Sequence, residues 1–546
     1  MLYIRRFSSS RTSHSTPFHP LFLKYANLFL MLVKELKLEN VCWIHHAKLE
    51  DLIKVAGGAA LELEDVAWER IAASRAVVNA ALESGQPIYG LNTGLGSLRK
   101  YIIPDDALLE FNREVIIGHA LSIFSDEVPP ERVRAMIAAR VCGFMQGGSG
   151  VRPELVQACL DLLEKGVHPI VHARAVSVGE SDLAPMAEVG LVLIGQGHAE
   201  YGGQILPGAL ALELAGLKPI VLEAKEGLAL ISSNALSVGG GALALAEARG
   251  LLELADLAAA LSFEGFAVNL GVLDEYALTA RPFGGQRARG KNLRRLLEGS
   301  SLWTGEPRNL QDPLSFRCVP QVHGAIDDVL EDAEDTLSAM LNAQVDSPLV
   351  TLGGYLVSNG NFESTGLTFA FDAVRLALQR LVTMAAQRVT KQLWADFSGL
   401  PTALALPSEA RRGMFHNMVN RTMAALSAKA YTYASPASLS YTPQVTEGSD
   451  DYASMAPLSL DRLWDLLRVA HAALALELLI ARRAVDMRGN PLGARLERVV
   501  ALLDIAANES LELDLPVEMV GQLQLERFIA ALTPAKLCAA ATLPED

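Results

Sequence analysis

Positive charge is in short supply: 47 Lys and Arg face 62 Asp and Glu in 546 residues, a formal charge of −15. That deficit excludes sequence-independent nucleic-acid binding, where Lys and Arg must neutralise phosphates, and adhesion to anionic membranes. Cysteine is scarcer. Cys42, Cys142, Cys159, Cys318 and Cys538 lie far apart with no C-x-x-C spacing, which excludes a disulfide framework or a zinc knuckle and fits buried thiols in a reducing, cytoplasmic setting. Several site signatures are absent too. There is no G-x-x-x-x-G-K-[ST] phosphate loop, and Gly90 to Gly96 is not followed by the acid of a dinucleotide site. Ser149 and Ser181 stand outside G-x-S-x-G, which excludes a hydrolase elbow. His45, His46, His168, His172 and His198 lack metal-ligand spacing, so no metal is expected.

Apolar residues, by contrast, make up 50% of the chain. The uncharged run Gly227 to Ala246 is nominally long enough to span a bilayer. It carries Ser232, Ser233, Asn234, Ser237 and the triplet Gly239-Gly240-Gly241, which fit a buried segment near a site and not lipid. Elsewhere the pattern is helical. Ile326, Val329, Leu330, Ala333, Leu337, Met340 and Leu341 recur at three- and four-residue spacing, and Leu367 to Trp394 and Leu458 to Arg488 are longer amphipathic stretches. The last stops at Gly489-Asn490-Pro491. No βαβ alternation is visible. The expected class is all-α: an elongated bundle of long helices that associates with other copies. Residues 1–30, with Arg5, Arg6, Arg11, Lys24, five serines and no acid, read as a transit-like extension or as an over-long start before Met31. The rest divides into a loop-rich active-site region (31–230), a central long-helix bundle (231–490) and a helical tail (491–546). Polar, Gly-rich loops at 89–98, 146–153, 175–185, 311–323 and 358–366 are scattered, so a site must form by their convergence.

The loops carry Tyr89-Gly90-Leu91-Asn92-Thr93-Gly94-Leu95-Gly96, Gly118-His119-Ala120, Ser149-Gly150-Val151-Arg152-Pro153, Ser177-Val178-Gly179 before Asp182-Leu183-Ala184-Pro185, Lys225-Glu226-Gly227, Gln311-Asp312-Pro313-Leu314-Ser315-Phe316-Arg317 and Asn359-Gly360-Asn361-Phe362. In this order, over roughly residues 48–490, they resemble the histidine/phenylalanine/tyrosine ammonia-lyase family. The resemblance implies a fumarase/aspartase-like helical bundle, a homotetramer and carbon–nitrogen lyase chemistry. It also implies Tyr89 as general base, Arg317 as carboxylate partner, and His119, Ser232, Gln311 and Phe362 as substrate-binding residues.

The resemblance breaks at the signature loop. Family members place Ala-Ser-Gly between Ser-Val-Gly and Asp-Leu-Ala-Pro, and that tripeptide cyclises into the electrophile methylidene-imidazolone (MIO). Here the gap holds Glu180-Ser181 alone, and the residue after Ser181 is Asp182. Gly eases the compression that cyclisation needs; Asp brings a Cβ and a charge, so no cofactor is expected. The family's cofactor-contacting Asn and Tyr are replaced by Ser232 and Leu314. A substrate whose nitrogen is already quaternary needs no electrophile, and acids at Glu180 and Asp182 suit a cation. This is the pattern of the family's ergothionases, which release trimethylamine from ergothioneine. Asp450 or Glu447, near Ser454-Met455, is expected to hold the ring or the leaving group. An ordinary ammonia-lyase or aminomutase with a modified loop, and a catalytically silent amino-acid-binding homologue, are the two alternatives.

Overall fold

Three adjacent glycines set how the long helices meet. Gly239, Gly240 and Gly241 lie in a 32-residue helix, Ala235–Phe266, and successive residues on a helix point about 100° apart. A Cβ on Gly239 would stand 2.5 Å from the Ala135 backbone; on Gly240, 2.9 Å from Leu460; on Gly241, 2.7 Å from Phe371. Each glycine therefore admits a different neighbour: the helices Pro130–Met145, Ala456–Arg488 and Thr365–Leu393. The 235–266 helix is buried over most of its circumference and forms the axis of the bundle. Glu226–Phe266 is, among the described residues, the one stretch long and apolar enough to cross a membrane, and its apolar window is wholly buried inside the protein.

The computed structural model describes residues 41–43, 46–121, 126–172, 182–411, 417–440, 444–511 and 522–543. The 1–30 extension, Glu180 and Ser181 lie outside them. The all-α expectation holds, with Val319–Leu341, Thr365–Leu393 and Ala456–Arg488 matching the periodic stretches. The last ends at Gly489, whose φ of 70° closes the helix in the left-handed region. Strands are short: the antiparallel set His168–Pro169, His198–Tyr201 and Gln204–Pro207, a parallel pair Val41–Trp43 with Leu61–Leu63, and Leu349–Val350 with Leu356–Val357.

Some expectations change. The 311–323 segment is not one loop: Leu314–Arg317 is helical and the next helix begins at Val319, where Pro320 sits in the first turn with its φ already suited to a helix. His323 is thereby carried into the core, Nδ1 2.7 Å from Asp256 Oδ1. The 31–230 region is more helical than its loops implied, with Asp65–Glu83, Pro130–Met145 and Pro153–Lys165 among its helices. One apolar cluster takes residues from Val41 to Ala541, so the three sequence divisions share a core. One buried polar group of the core is matched by long-range partners: Arg388 Nη2 donates to Glu477 Oε2 at 2.8 Å, and Ser262 Oγ donates to Glu477 Oε1 at 2.7 Å. Cys142 and Cys159 are buried free thiols, which burial pushes up to about 12, while Cys318 and Cys538 are only partly covered.

Candidate active site

Tyr89 follows the Asp65–Glu83 helix in a turn built by glycine. Gly90 takes φ 70° and a Cβ there would meet Leu228 at 2.4 Å; Gly96 takes φ 51° and a Cβ would meet Thr446 Cγ2 at 2.2 Å. Gly96 is also placed so that its N–H donates to Tyr89 Oη at 3.2 Å. A donor at that oxygen supports it once it has given up its proton, which is what a base requires. Thr446, across the close contact, donates through Oγ1 to the Asp450 carboxylate. Between them Glu447 is exposed, in left-handed backbone at φ 55°. Tyr89, Glu447 and Asp450, remote in sequence, thus belong to one cluster.

Beneath the Tyr89 turn lies a buried charged frame. Asp346 accepts from Arg140 Nη2 at 2.8 Å and from Ser149 Oγ at 2.6 Å, and its backbone oxygen accepts from Asn359 Nδ2 at 3.0 Å. Lys225 Nζ donates to the Ser149 oxygen at 2.7 Å. Burial pushes Lys225 down to about 8, with Asp346 opposing and Arg140 and Arg75 reinforcing the fall. Arg152 grips Glu226 through Nε and Nη2 at 3.0 and 2.7 Å. The Ser149-Gly150-Val151-Arg152 and Lys225-Glu226-Gly227 motifs are therefore two halves of one structural clamp. Arg140 and Asp346 were not singled out in the sequence because neither sits in a motif; each is a lone charge within an apolar or turn segment.

The third cluster surrounds the end of the signature loop. Asp182 N–H donates to the Ser233 oxygen at 2.9 Å, and its carboxylate accepts from Ser237 N–H at 2.7 Å and Ser237 Oγ at 3.1 Å. Asp182 is thus bound to the first turn of the axial helix, where a carboxylate complements the helix dipole. Burial pushes it up to about 7, and these hydrogen bonds pull it back only in part. This revises the expectation that Asp182 faces a substrate cation: its oxygens are committed to the helix. Ser232 Oγ, Ser233 Oγ and Asn234 Oδ1 are buried without a partner among the described residues. Asn234 Nδ2 donates to the Phe362 oxygen at 3.0 Å, and Ser364 Oγ donates to Ser454 Oγ at 2.9 Å. The short helix Glu226–Ile231 joins the three clusters: Lys225 precedes it, Leu228 meets Gly90, and Ser232 follows it.

Other expected residues stand apart. Gln311 is exposed, Leu314 is 60% exposed, and Arg317, half-buried at the end of Leu314–Arg317, makes no ion pair or hydrogen bond through its side chain among the described residues. Asp312 anchors their segment by accepting from Asn269 N–H at 2.7 Å and Asn309 Nδ2 at 2.8 Å. His119 closes the Leu108–His119 helix with Nδ1 2.7 Å from the Val115 oxygen. Among the described residues none of them has a hydrogen bond to the Tyr89 cluster. Among the described residues no His, Cys, Asp and Glu group could hold a metal ion.

Residues 47–504 match the family model described as aromatic amino acid lyase. The histidine ammonia-lyase of Streptococcus gordonii is 34% identical over 445 residues, spanning 81% of this chain and 86% of the relative. Among solved structures, the ergothioneine-degrading ergothionase of Treponema denticola, in complex with desmethyl-ergothioneine sulfonic acid, superposes with a TM-score of 0.85 at 28% identity, covering 91% of this chain and 99% of that one. Histidine ammonia-lyase from Trypanosoma cruzi gives a TM-score of 0.81 at 28% identity, covering 93% and 96%.

Proposed function

The chain belongs to the aromatic amino acid lyase family and is a carbon–nitrogen lyase of the ammonia-lyase type; within that class we propose that it eliminates trimethylamine from a trimethylated aromatic amino acid, ergothioneine first among candidates, without MIO. The observation that carries this reading is the shortened signature loop together with the state of the residue that ends it. Ring closure would require the Asp182 nitrogen to attack the Glu180 carbonyl. That nitrogen is engaged with the Ser233 oxygen, and the Asp182 side chain is tied to Ser237. The residues therefore fit poorly to the family's electrophile. The likeness to the Treponema denticola ergothionase supports the same reading.

The step balances without a co-reactant. Tyr89, as phenolate, takes the β-proton; the C–H electron pair becomes the new carbon–carbon double bond; the Cα–N bond breaks and its pair leaves with nitrogen as neutral trimethylamine. Tyr89 then returns its proton to solvent. A thioimidazole ring would delocalise the charge that develops at the β-carbon. Glu180 is the carboxylate proposed to face the quaternary nitrogen, and Asp450 or Glu447, in the Tyr89 cluster, the one facing the ring. Arg317 has free donors for a bidentate hold on the substrate carboxylate. We propose that it reaches the Tyr89 cluster of another copy in a homotetramer; exposed Gln311 and Leu314 are the surface such a copy would cover.

Incubation with ergothioneine should release trimethylamine and generate the absorbance of thiourocanate. Tyr89→Phe should lower that rate by about 10²–10⁴, the usual contribution of a positioned base, with the fold intact by circular dichroism. The similarity to histidine ammonia-lyases favours a second reading, deamination of histidine. Intact mass separates the two: a deficit of two waters per chain, or turnover of histidine with ergothioneine untouched, would overturn the proposal.

A further inference from the structure

The C-terminal end of the axial helix opens on a separate concave site. The chain leaving Phe266, the Ser301–Arg308 segment and the Asn490-Pro491 turn enclose a cleft of about 500 Å³, within the usual range for a small organic ligand. Arg308, Arg294 and Trp303 are among the residues that line it. Arg308 Nε donates to the Phe266 oxygen at 3.0 Å, and the guanidinium lies 4.5 Å from the Phe266 ring centroid. It makes no other hydrogen bond and no ion pair among the described residues, and its Nη2 is buried without a partner.

The acids nearby do not neutralise it. Asp274 caps a short helix by accepting from Ala277 N–H at 3.0 Å, and Asp312 is engaged with Asn269 and Asn309. Glu306 is exposed at the rim. Arg488, fixed on the Gly265 oxygen at 3.2 Å and the Ser398 oxygen at 2.7 Å, adds a second positive charge behind Arg308. Burial pushes the Arg308 guanidinium below its ordinary value, with Asp312 offsetting only part. A guanidinium without an ion pair, fixed in a partly buried wall, is a receptor for an anion through its remaining Nη1 donors. Trp303 contributes a flat apolar surface: its Nε1 is already used on the Leu297 oxygen at 2.8 Å, and Arg294 lies 5.0 Å from its ring centroid.

We propose that this cleft binds a small aromatic carboxylate, its carboxylate on Arg308 Nη1 and its ring against Trp303. The site is distinct from the Tyr89 cluster and does not depend on the reaction assigned there. It lies behind the segment that carries Gln311 and Arg317, to which Asp312 couples it through the Asn269 N–H.

Calorimetric titration of the full-length protein tests this, in an Arg317→Met background so that carboxylate recognition at the active site is not counted. Benzoate should bind at one site per chain, with acetate and inorganic phosphate at least about tenfold weaker, a difference of 1.4 kcal/mol. Adding Arg308→Met, or separately the milder Trp303→Leu, should each weaken benzoate at least about tenfold, with unchanged circular dichroism. No benzoate binding in the Arg317→Met protein would overturn the proposal. So would benzoate affinity indifferent to both added substitutions, or phosphate binding more tightly than benzoate.

Discussion

Glu264 and Asp182 are both buried carboxyls near opposite ends of the axial helix, and both are pushed up to about 7 by burial. They differ in what surrounds them. Asp182 has Ser237 and the helix N-terminus; among the described residues neither Glu264 oxygen has a hydrogen-bond partner of good geometry, and the Ser300 hydroxyl offsets only part of the rise. The ordinary value for Glu is 4.5. The folded state thus holds the proton more tightly than the unfolded chain, and stability falls as pH rises from about 4.5 to about 7. Glu264→Gln should therefore raise the melting temperature more at pH 8 than at pH 5, the difference reaching on the order of 1–3 kcal/mol. Equal effects at both pH values would mean that the carboxyl stays ionised throughout. The role of Asp182 was not legible in the sequence. Its place beside Ser181 marked it as chemistry, whereas the carboxylate is directed at a helix start more than fifty positions downstream, which only the fold reveals.

Helices tolerate glycine poorly, and replacing an exposed one by Ala ordinarily gains about 1 kcal/mol. The axial helix reverses that sign. At Gly239 an added Cβ would stand 2.5 Å from the Ala135 backbone carbon, which has no rotamer with which to yield. Gly239→Ala should destabilise the protein by about 1–3 kcal/mol, as overpacking does. Gly366→Ala, in the first turn of Thr365–Leu393 with nothing nearer than Thr336 at 3.9 Å, should be neutral or stabilising. Chemical denaturation of the pair checks both. The helices themselves were readable because their apolar residues repeat at three and four and because Gly489 ends the last one. The short Leu314–Arg317 helix was not readable, since four residues carry no period and Pro313 and Pro320 read as loop.

Across the whole molecule some polar groups of the core are long-range partners that no window of sequence brings together. Arg388 and Glu477 are both fully buried and paired, with Ser262 as a third member. Glu477→Gln should cost about 3–5 kcal/mol because it strands a buried guanidinium. Replacing both residues by apolar ones of similar volume should recover much of that loss, and a double-mutant comparison of melting temperatures checks it. The candidate site was legible in the same uneven way. The motifs named Tyr89, Asp450 and Glu447, and the fold gathers them through Gly96 and Thr446. Gln311 and Arg317 were named as surely, yet among the described residues Gln311 is exposed and Arg317 half-buried, without a hydrogen bond to the Tyr89 cluster, because a sequence motif does not record where the fold will carry it.

The axial helix has a further consequence that neither of its ends states alone. At 32 residues and about 1.5 Å of rise per residue it is roughly 48 Å long. A carboxylate is fastened to its amino end by Ser237, and two guanidiniums are fastened to its carboxyl end through the Phe266 and Gly265 oxygens. It is a strut pinned at both tips and packed against neighbouring helices along its length. Arg308 and Asp182, far apart in sequence and in function, are thus fastened to opposite ends of one helix.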